Sequence, residues 1–163
     1  MSWYDENILP YVLNCACSIK PVRKQREKVV PLASGDVLEI GIGSGLNLPY
    51  YDSSKVRKIW GLEPSEGMRK VARKKHAGTG LDLEFIDLPG EEIPLEDSSV
   101  DTVLVTYTLC TIPDVMQALA GMRRVLKPGG VFWSDHDMDL AFYRRFRWPL
   151  TGYRRLRGAG RKY

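Results

Sequence analysis

Residues Val37 to Asn47 read VLEIGIGSGLN, an apolar run that breaks into three alternating glycines, Gly41, Gly43 and Gly45. This stretch constrains the fold more than any other. Val37-Leu38-Glu39-Ile40 predicts a buried strand. A strand that ends in glycines is a place where a ligand lies directly against backbone, because a side chain there would occupy the ligand's space. Dinucleotide-binding proteins space these glycines G-x-G-x-x-G. Here the third comes one residue early, and Leu46 takes its place. An acid, Glu39, stands two residues before the first glycine, within the strand. A dinucleotide presents a pyrophosphate and gains nothing from a carboxylate beside the glycines.

The rest of the chain alternates strands with helices. Ahead of the glycines, Pro21 suits the first turn of a helix that runs through VRKQREKVV and stops by Pro31. Its basic face, Arg23, Lys24, Arg26 and Lys28, is most simply a solvated surface. Pro49 limits the stretch after the glycines to a short turn. Val56 to Leu62 predicts a second strand ending at Glu63. Ser65 is placed to N-cap a helix with Met68, Val71 and Ala72 on its core face. Lys74, Lys75 and His76 fall in its last turn, where cations complement the dipole, and Gly78 closes it. Leu81 to Ile86 predicts strand three, Asp87 to Asp97 a loop, and Val100 to Tyr107 a central strand. Asp114 caps a helix whose apolar stripe is Val115, Leu119, Met122 and Leu126. Pro128-Gly129-Gly130 is expected to stop it, and Val131-Phe132-Trp133 begins strand five.

Such alternation predicts a doubly wound α/β fold, a mostly parallel sheet with helices on both faces. Ligands bind such sheets at the carboxyl ends of the strands, where the strand order reverses. The glycine loop ends strand one. Glu63 ends strand two about twenty residues later, where a carboxylate can accept hydrogen bonds from both hydroxyls of a ribose. Cys110 follows strand four and reads as a packed small apolar residue that could also line the pocket.

A chain of 163 residues is expected to form one domain with a real core. The net charge of +4 is uneven: Arg144 to Tyr163 holds eight basic residues and no acid. The remainder is net acidic, which argues against a body built for nucleic acid. Cys15, Cys17 and Cys110 form no C-x-x-C, which argues against a zinc site or disulfide framework and fits a reducing cytoplasm. No apolar run reaches the ~18 residues of a membrane span. Asp5 and Glu6 precede the first short apolar stretch, which does not suit a signal peptide. The expected location is cytoplasmic.

The glycine loop with Glu39 resembles motif I of the class I S-adenosylmethionine (SAM) methyltransferases. PGEEIPLEDSSVDTVLVTYTLCTIPDVMQALAGMRRVLKPGG resembles the type 11 family of these proteins. The likeness runs over Gly90-Glu91, over Asp97, Ser99, Val100 and Asp101, over Ile112-Pro113-Asp114, and over Arg124 to Gly130. VRKQREKVVPLA, IGSGLNLPYY and YTLCTIPD are similar to a bacterial branch near the thiol methyltransferase-like proteins. The resemblance covers roughly residues 20 to 136.

The resemblance implies a Rossmann-like sheet of the class I methyltransferase type. It also implies SAM as methyl donor, S-adenosylhomocysteine (SAH) as product, and SN2 transfer to a small thiol, hydroxyl or activated-carbon acceptor. It puts donor contacts at Glu39, Gly41, Gly43, Gly45, Glu63, Pro64, Met68, Gly90, Glu91 and Thr106. Glu39 would hold the methionine ammonium, directly or through water, and Glu63 the ribose. Pro89 stands where the family often has an acid for the adenine amino group, which leaves backbone contacts at Gly90 and Glu91. A sulfonium is a good leaving group, so catalysis is chiefly alignment and desolvation. A base is needed only when the acceptor must lose a proton. Asp135-His136, just after strand five, is the pair expected to serve; a locally bonded loop histidine is the alternative. No metal is expected, since His136, Asp135, Asp137 and Asp139 have no second histidine or cysteine at ligand spacing.

The expected layout is a helical cap over residues 1–34, a SAM-binding domain over 35–136 and a basic tail over 137–163. Tyr4 and Tyr11 are the cap residues expected to reach inward. Relatives carry two more strands after strand five, and residues 137–163 lack two β-rich runs. The last two strands are therefore expected to be missing, with a second copy or a partner over the exposed sheet edge. Two other readings stay open: a SAM-binding paralogue that acts through interaction, and an NAD(P)-dependent reductase. The early third glycine and Glu39 disfavour the reductase. A nucleic-acid methyltransferase is motivated only by the basic tail, since TYTLC stands where an Asn-Pro-Pro-Tyr-type element would follow strand four.

Overall fold

The structure is a computed structural model that describes residues 20–134. Among them, β1 (Gly35–Ile40), β2 (Val56–Leu62), β3 (Leu83–Ile86), β4 (Val100–Val105) and β5 (Leu126–Ser134) form one sheet in the order β3-β2-β1-β4-β5. Every neighbouring pair is parallel. The helices are α1 (Lys20–Val29), α2 (Glu66–His76) and α3 (Val115–Val125). The chain winds outward from β1 to β3, then returns past β1 to β4 and β5. Its order reverses between β1 and β4, and this is the crevice where such sheets take ligands. The expected doubly wound α/β architecture is therefore present. None of these helices is long and apolar enough to cross a membrane.

The period-two alternation of the strands sorts their side chains onto two cores. Leu38 and Ile40 of β1 and Val103 and Val105 of β4 pack with Ala118, Leu119, Met122 and Val125 of α3. Val37 and Leu104 face the other way, with Val29 and Val30 at the end of α1 and with Ile42, Leu48 and Ile59. Both faces are covered, which is why β1 and β4 read as near-continuous apolar runs. Truncating the fully buried Leu119 or Met122 to alanine costs about 2–5 kcal/mol.

The helix starts follow the capping residues. Ser65 Oγ accepts from the Met68 amide, and Asp114 Oδ1 accepts from the Gln117 amide at 2.9 Å. Three details differ from expectation. Helix α3 ends at Val125, before Pro128: Leu126 is needed in the core and already pairs with Val100. Residues 127–130 form a bulge within β5, so that the register shifts before Val131 pairs with Thr102. That bulge carries Lys127, whose Nζ lies 2.9 Å from Asp101 Oδ1 and 3.4 Å from Asp36 Oδ2; Arg57 also bonds both acids. This four-charge cluster ties the amino ends of β1, β2 and β4, opposite the glycine loop. On α2, Met68 and Val71 are only half-buried, and Arg69 is buried instead. Its guanidinium turns back to donate to the Glu63 carbonyl and to Glu66. Strand β3 is shorter than expected, beginning at Leu83.

Candidate functional site

The three glycines after β1 serve three separate needs. A Cβ on Gly41 (φ +68°) would run into the Thr108 side chain. A Cβ on Gly45 (φ +72°) would lie 2.7 Å from Leu48 Cδ1 and 3.2 Å from Ala72, so this glycine lets the loop sit on α2. At Gly43 (φ +55°) the nearest atom is the Gly41 carbonyl oxygen at 3.8 Å, and the space is open. At Gly41 and Gly45, then, it is the protein itself that excludes a side chain, and only Gly43 leaves the space free.

Glu63 closes the other side of this opening. Its Oε2 accepts from the Gly43 amide at 3.1 Å and its Oε1 from the Ser65 amide at 2.9 Å. Burial pushes its carboxyl pKa up, against the pull of those two amides and of Arg69. Each oxygen has taken one donor, so each keeps a lone pair for a further one. Pro64 is exposed beside it and Met68 half-buried on the first turn of α2.

Beneath the loop lies a buried polar network. Glu39 is only 1% exposed. Its Oε1 accepts from Asn47 Nδ2 at 2.7 Å and its Oε2 from the Tyr51 hydroxyl at 2.6 Å. Burial raises its pKa, while Tyr51, Asn47 and the Arg26 charge oppose the rise. Asn47 Nδ2 also donates to Thr106 Oγ1 at 2.9 Å, and Asn47 Oδ1 accepts from Arg26 at 2.8 Å. Arg26 therefore does not belong to a solvated basic face: it is 7% exposed, and its guanidinium crosses from α1 into the crevice between β1 and β4. It reaches Thr106 Oγ1 at 3.4 Å and lies over the Tyr107 ring, 5.1 Å from its centroid. Tyr107 holds a left-handed backbone (φ 54°), uncommon for a bulky residue.

Gly90 lies beside Ile40, the last residue of β1. A Cβ on Gly90 would lie 2.9 Å from Ile112 Cδ1 and 3.2 Å from Ile40 Cγ2, so the backbone here runs close to apolar side chains. Glu91 Oε1 accepts from the Asp114 amide at 3.1 Å, which turns its side chain toward the start of α3. Cys110 is exposed, not packed: it lies on the outer side of a 3-10 turn, Leu109–Thr111, whose buried residue is Leu109. Asp135, His136, Tyr4 and Tyr11 lie outside the described residues. Among the described residues no group of three His, Cys, Asp or Glu side chains is arranged to hold a metal ion.

Arg26, Asn47, Tyr51 and Thr108 also line this crevice and its loop, beyond the residues expected from the sequence. Each had a signal. An acid inside an apolar strand needs donors, and Asn47 and Tyr51 are the polar groups within reach in sequence. Arg26 stands three and four residues before the buried Val29 and Val30, on the same helix face.

A family model described as a methyltransferase domain matches residues 38–134. Human thiol S-methyltransferase TMT1B is 38% identical over 109 residues, covering 63% of this chain and 44% of that protein. The demethylmenaquinone methyltransferase of Geobacillus stearothermophilus is 39% identical over 105 residues, covering 58% and 45%. Among solved structures, a SAM-dependent methyltransferase from Thermotoga maritima superposes with a TM-score of 0.58 at 29% identity, covering 80% of this chain and 60% of that one. The chain spans about half the length of the curated relatives it matches.

Proposed function

This chain belongs to the methyltransferase domain family, and from that premise we propose that it binds SAM at the glycine loop and methylates a small-molecule acceptor. The observation that carries the reading is the free space at Gly43 beside the Glu63 carboxylate, at the carboxyl ends of β1 and β2. That opening fits an adenosyl ligand. Backbone there comes close without a side chain, and the two free lone pairs of Glu63 suit two ribose hydroxyls. The backbone at Gly90 and Glu91, beside Ile112, is offered to the adenine edge.

A bound donor supplies a methyl group activated on a sulfonium. The chain's own residues position and desolvate it. Glu63 fixes the ribose, and the glycine loop sets the depth of approach. Glu39, kept in place by Asn47 and Tyr51, puts negative charge under the loop, which favours an ammonium end and disfavours a pyrophosphate. Thr106 and Tyr107, after β4, flank the place where acceptor and methyl group meet. Where the acceptor must lose a proton, we assign its removal to Asp135 and His136. The acceptor class we favour is a small apolar thiol, with an activated ring carbon as the second choice. What supports these choices is that the human relative is named a thiol S-methyltransferase and a Campylobacter jejuni relative a ubiquinone/menaquinone biosynthesis C-methyltransferase.

Titration calorimetry with SAM, SAH and NADH tests the reading, followed by methyl-transfer assays on a small thiol and a reduced quinone. Saturable binding of SAM and SAH without NADH supports it. Binding of NADH in place of both overturns it. SAM binding with no turnover of either acceptor favours the second reading, a SAM-binding protein that acts through interaction.

A further inference from the structure

We propose that Arg26 is a donor-binding residue whose guanidinium takes the α-carboxylate at the amino-acid end of the methyl donor. The inference rests on the glycine loop being the donor site. Arg26 is the one residue of α1 shown to enter the crevice between β1 and β4, and it arrives only partly satisfied. Its Nη1 is engaged by Asn47 and Thr106. Its Nε is buried with no hydrogen-bond partner. A buried N–H left without an acceptor is costly, and natural proteins seldom keep one without a use. Glu39 does not supply the acceptor: its oxygens bond Asn47 and Tyr51, no hydrogen bond joins it to Arg26, and the two meet through the Asn47 amide.

The chemistry of this donor is specific. A guanidinium fork laid over an aromatic ring matches a planar carboxylate, which takes two of its N–H groups side by side. The surroundings favour an anion. Lys75 of α2, its pKa pushed down by burial and then by the Arg26 charge, is a second basic group within range of this guanidinium. Of the groups on the donor (adenine, ribose, sulfonium, ammonium and carboxylate) only the carboxylate is anionic. Glu39 and Arg26, joined through Asn47, then read the two charges of the amino-acid end together.

The test compares SAH with its decarboxylated analogue by calorimetry, on the wild-type chain and on Arg26→Gln and Arg26→Lys, with the melting midpoint of each recorded. The wild type is expected to prefer SAH by about tenfold to a hundredfold, the scale of a hydrogen-bonded charge pair. Both variants are expected to bind the two ligands about equally. Lysine keeps the charge toward Glu39 and the fold, but lacks the Nε–H and the fork. A wild type that binds both ligands equally overturns the inference whether or not Arg26→Gln folds. So does a folded variant that keeps the full preference, or one that loses both ligands to the same extent. Failure of the folded wild type to bind either ligand is a distinct result: it removes the donor site itself.

Discussion

Gly43 donates its backbone N–H to Glu63 Oε2 across 3.1 Å, which joins the loop after β1 to the acid that ends β2. The glycine loop and the carboxylate twenty residues away are thus one preassembled unit. The loop's depth and the acid's direction are set together before a ligand arrives, which lowers the ordering cost of binding.

Gly43→Val is expected to abolish SAM and SAH binding while the sheet stays folded. The added side chain enters the only open space among the three glycines, and the left-handed backbone adds about 1–2 kcal/mol of strain. Gly45→Ala should behave in the opposite way. Its methyl meets Leu48 and Ala72, so overpacking of about 1–3 kcal/mol joins the strain and stability falls first. Urea midpoints with calorimetry on both variants separate the two roles. Unchanged affinity in a folded Gly43→Val would remove the loop from the donor site.

Glu63→Ala should weaken SAH by about 1.5–3 kcal/mol, the scale of hydrogen bonds to a charged acceptor. An analogue lacking both ribose hydroxyls should lose no further affinity in this variant; if the two losses simply add, Glu63 is not the ribose partner. The pH dependence has a definite sign. Burial raises the Glu63 pKa above its ordinary 4.5, and the accepting form is the carboxylate. Affinity should therefore fall as the pH drops through the raised value, and Glu63→Gln should flatten that dependence.

Tyr51→Phe tests the buried acid. Burial already raises the folded pKa of Glu39, and the Tyr51 hydroxyl is the first influence opposing it. A raised folded pKa means that Glu39 favours folding most below its unfolded value near 4.5 and loses that contribution as pH rises through the folded value. Removing the hydroxyl raises the folded pKa further. The variant should lose more stability near pH 7 than near pH 4.5, by up to about 1.5–3 kcal/mol, because the hydroxyl favours the charged form of the acid. Equal losses in denaturation curves at both values would show that the hydroxyl does not hold a charged Glu39.

The sheet was legible because its signals are local and repeated. Strand β2 and the N-caps Ser65 and Asp114 occupy the positions that alternation and capping chemistry indicate. The α3 stripe is buried as its spacing requires, except that Leu126 packs from the strand. The site was legible only in part. Strand ends place Gly43 and Glu63, since β1 and β2 are adjacent and parallel. Arg26 was misread because a basic helix is usually solvated, and the force that buries it comes from Asn47 and Thr106, 21 and 80 residues away. The exposure of Cys110 likewise depends on the 3-10 turn that follows β4, which apolar character does not reveal.

Arg124 governs the loop that carries Gly90 and Glu91. Its guanidinium donates to the Ile93 and Leu95 carbonyls, each at 2.7 Å, and to Asp97 Oδ1 at 2.8 Å. The three contacts are unequal. Asp97 is 77% exposed, so the ion pair is worth about 0–1 kcal/mol after screening. The carbonyl bonds fix backbone, and losing them costs more, about 1–3 kcal/mol together. Asp97→Asn is therefore expected to leave stability and SAH affinity nearly unchanged. Arg124→Met should lower both, because a loosened loop at residues 90–97 no longer presents its backbone to the adenine. Arg124→Lys should resemble methionine more than arginine, since an ammonium cannot span two carbonyls with a planar fork. Paired urea midpoints and SAH titrations check this order. If Asp97→Asn proves as damaging as Arg124→Met, the ion pair and not the carbonyl latch holds the loop.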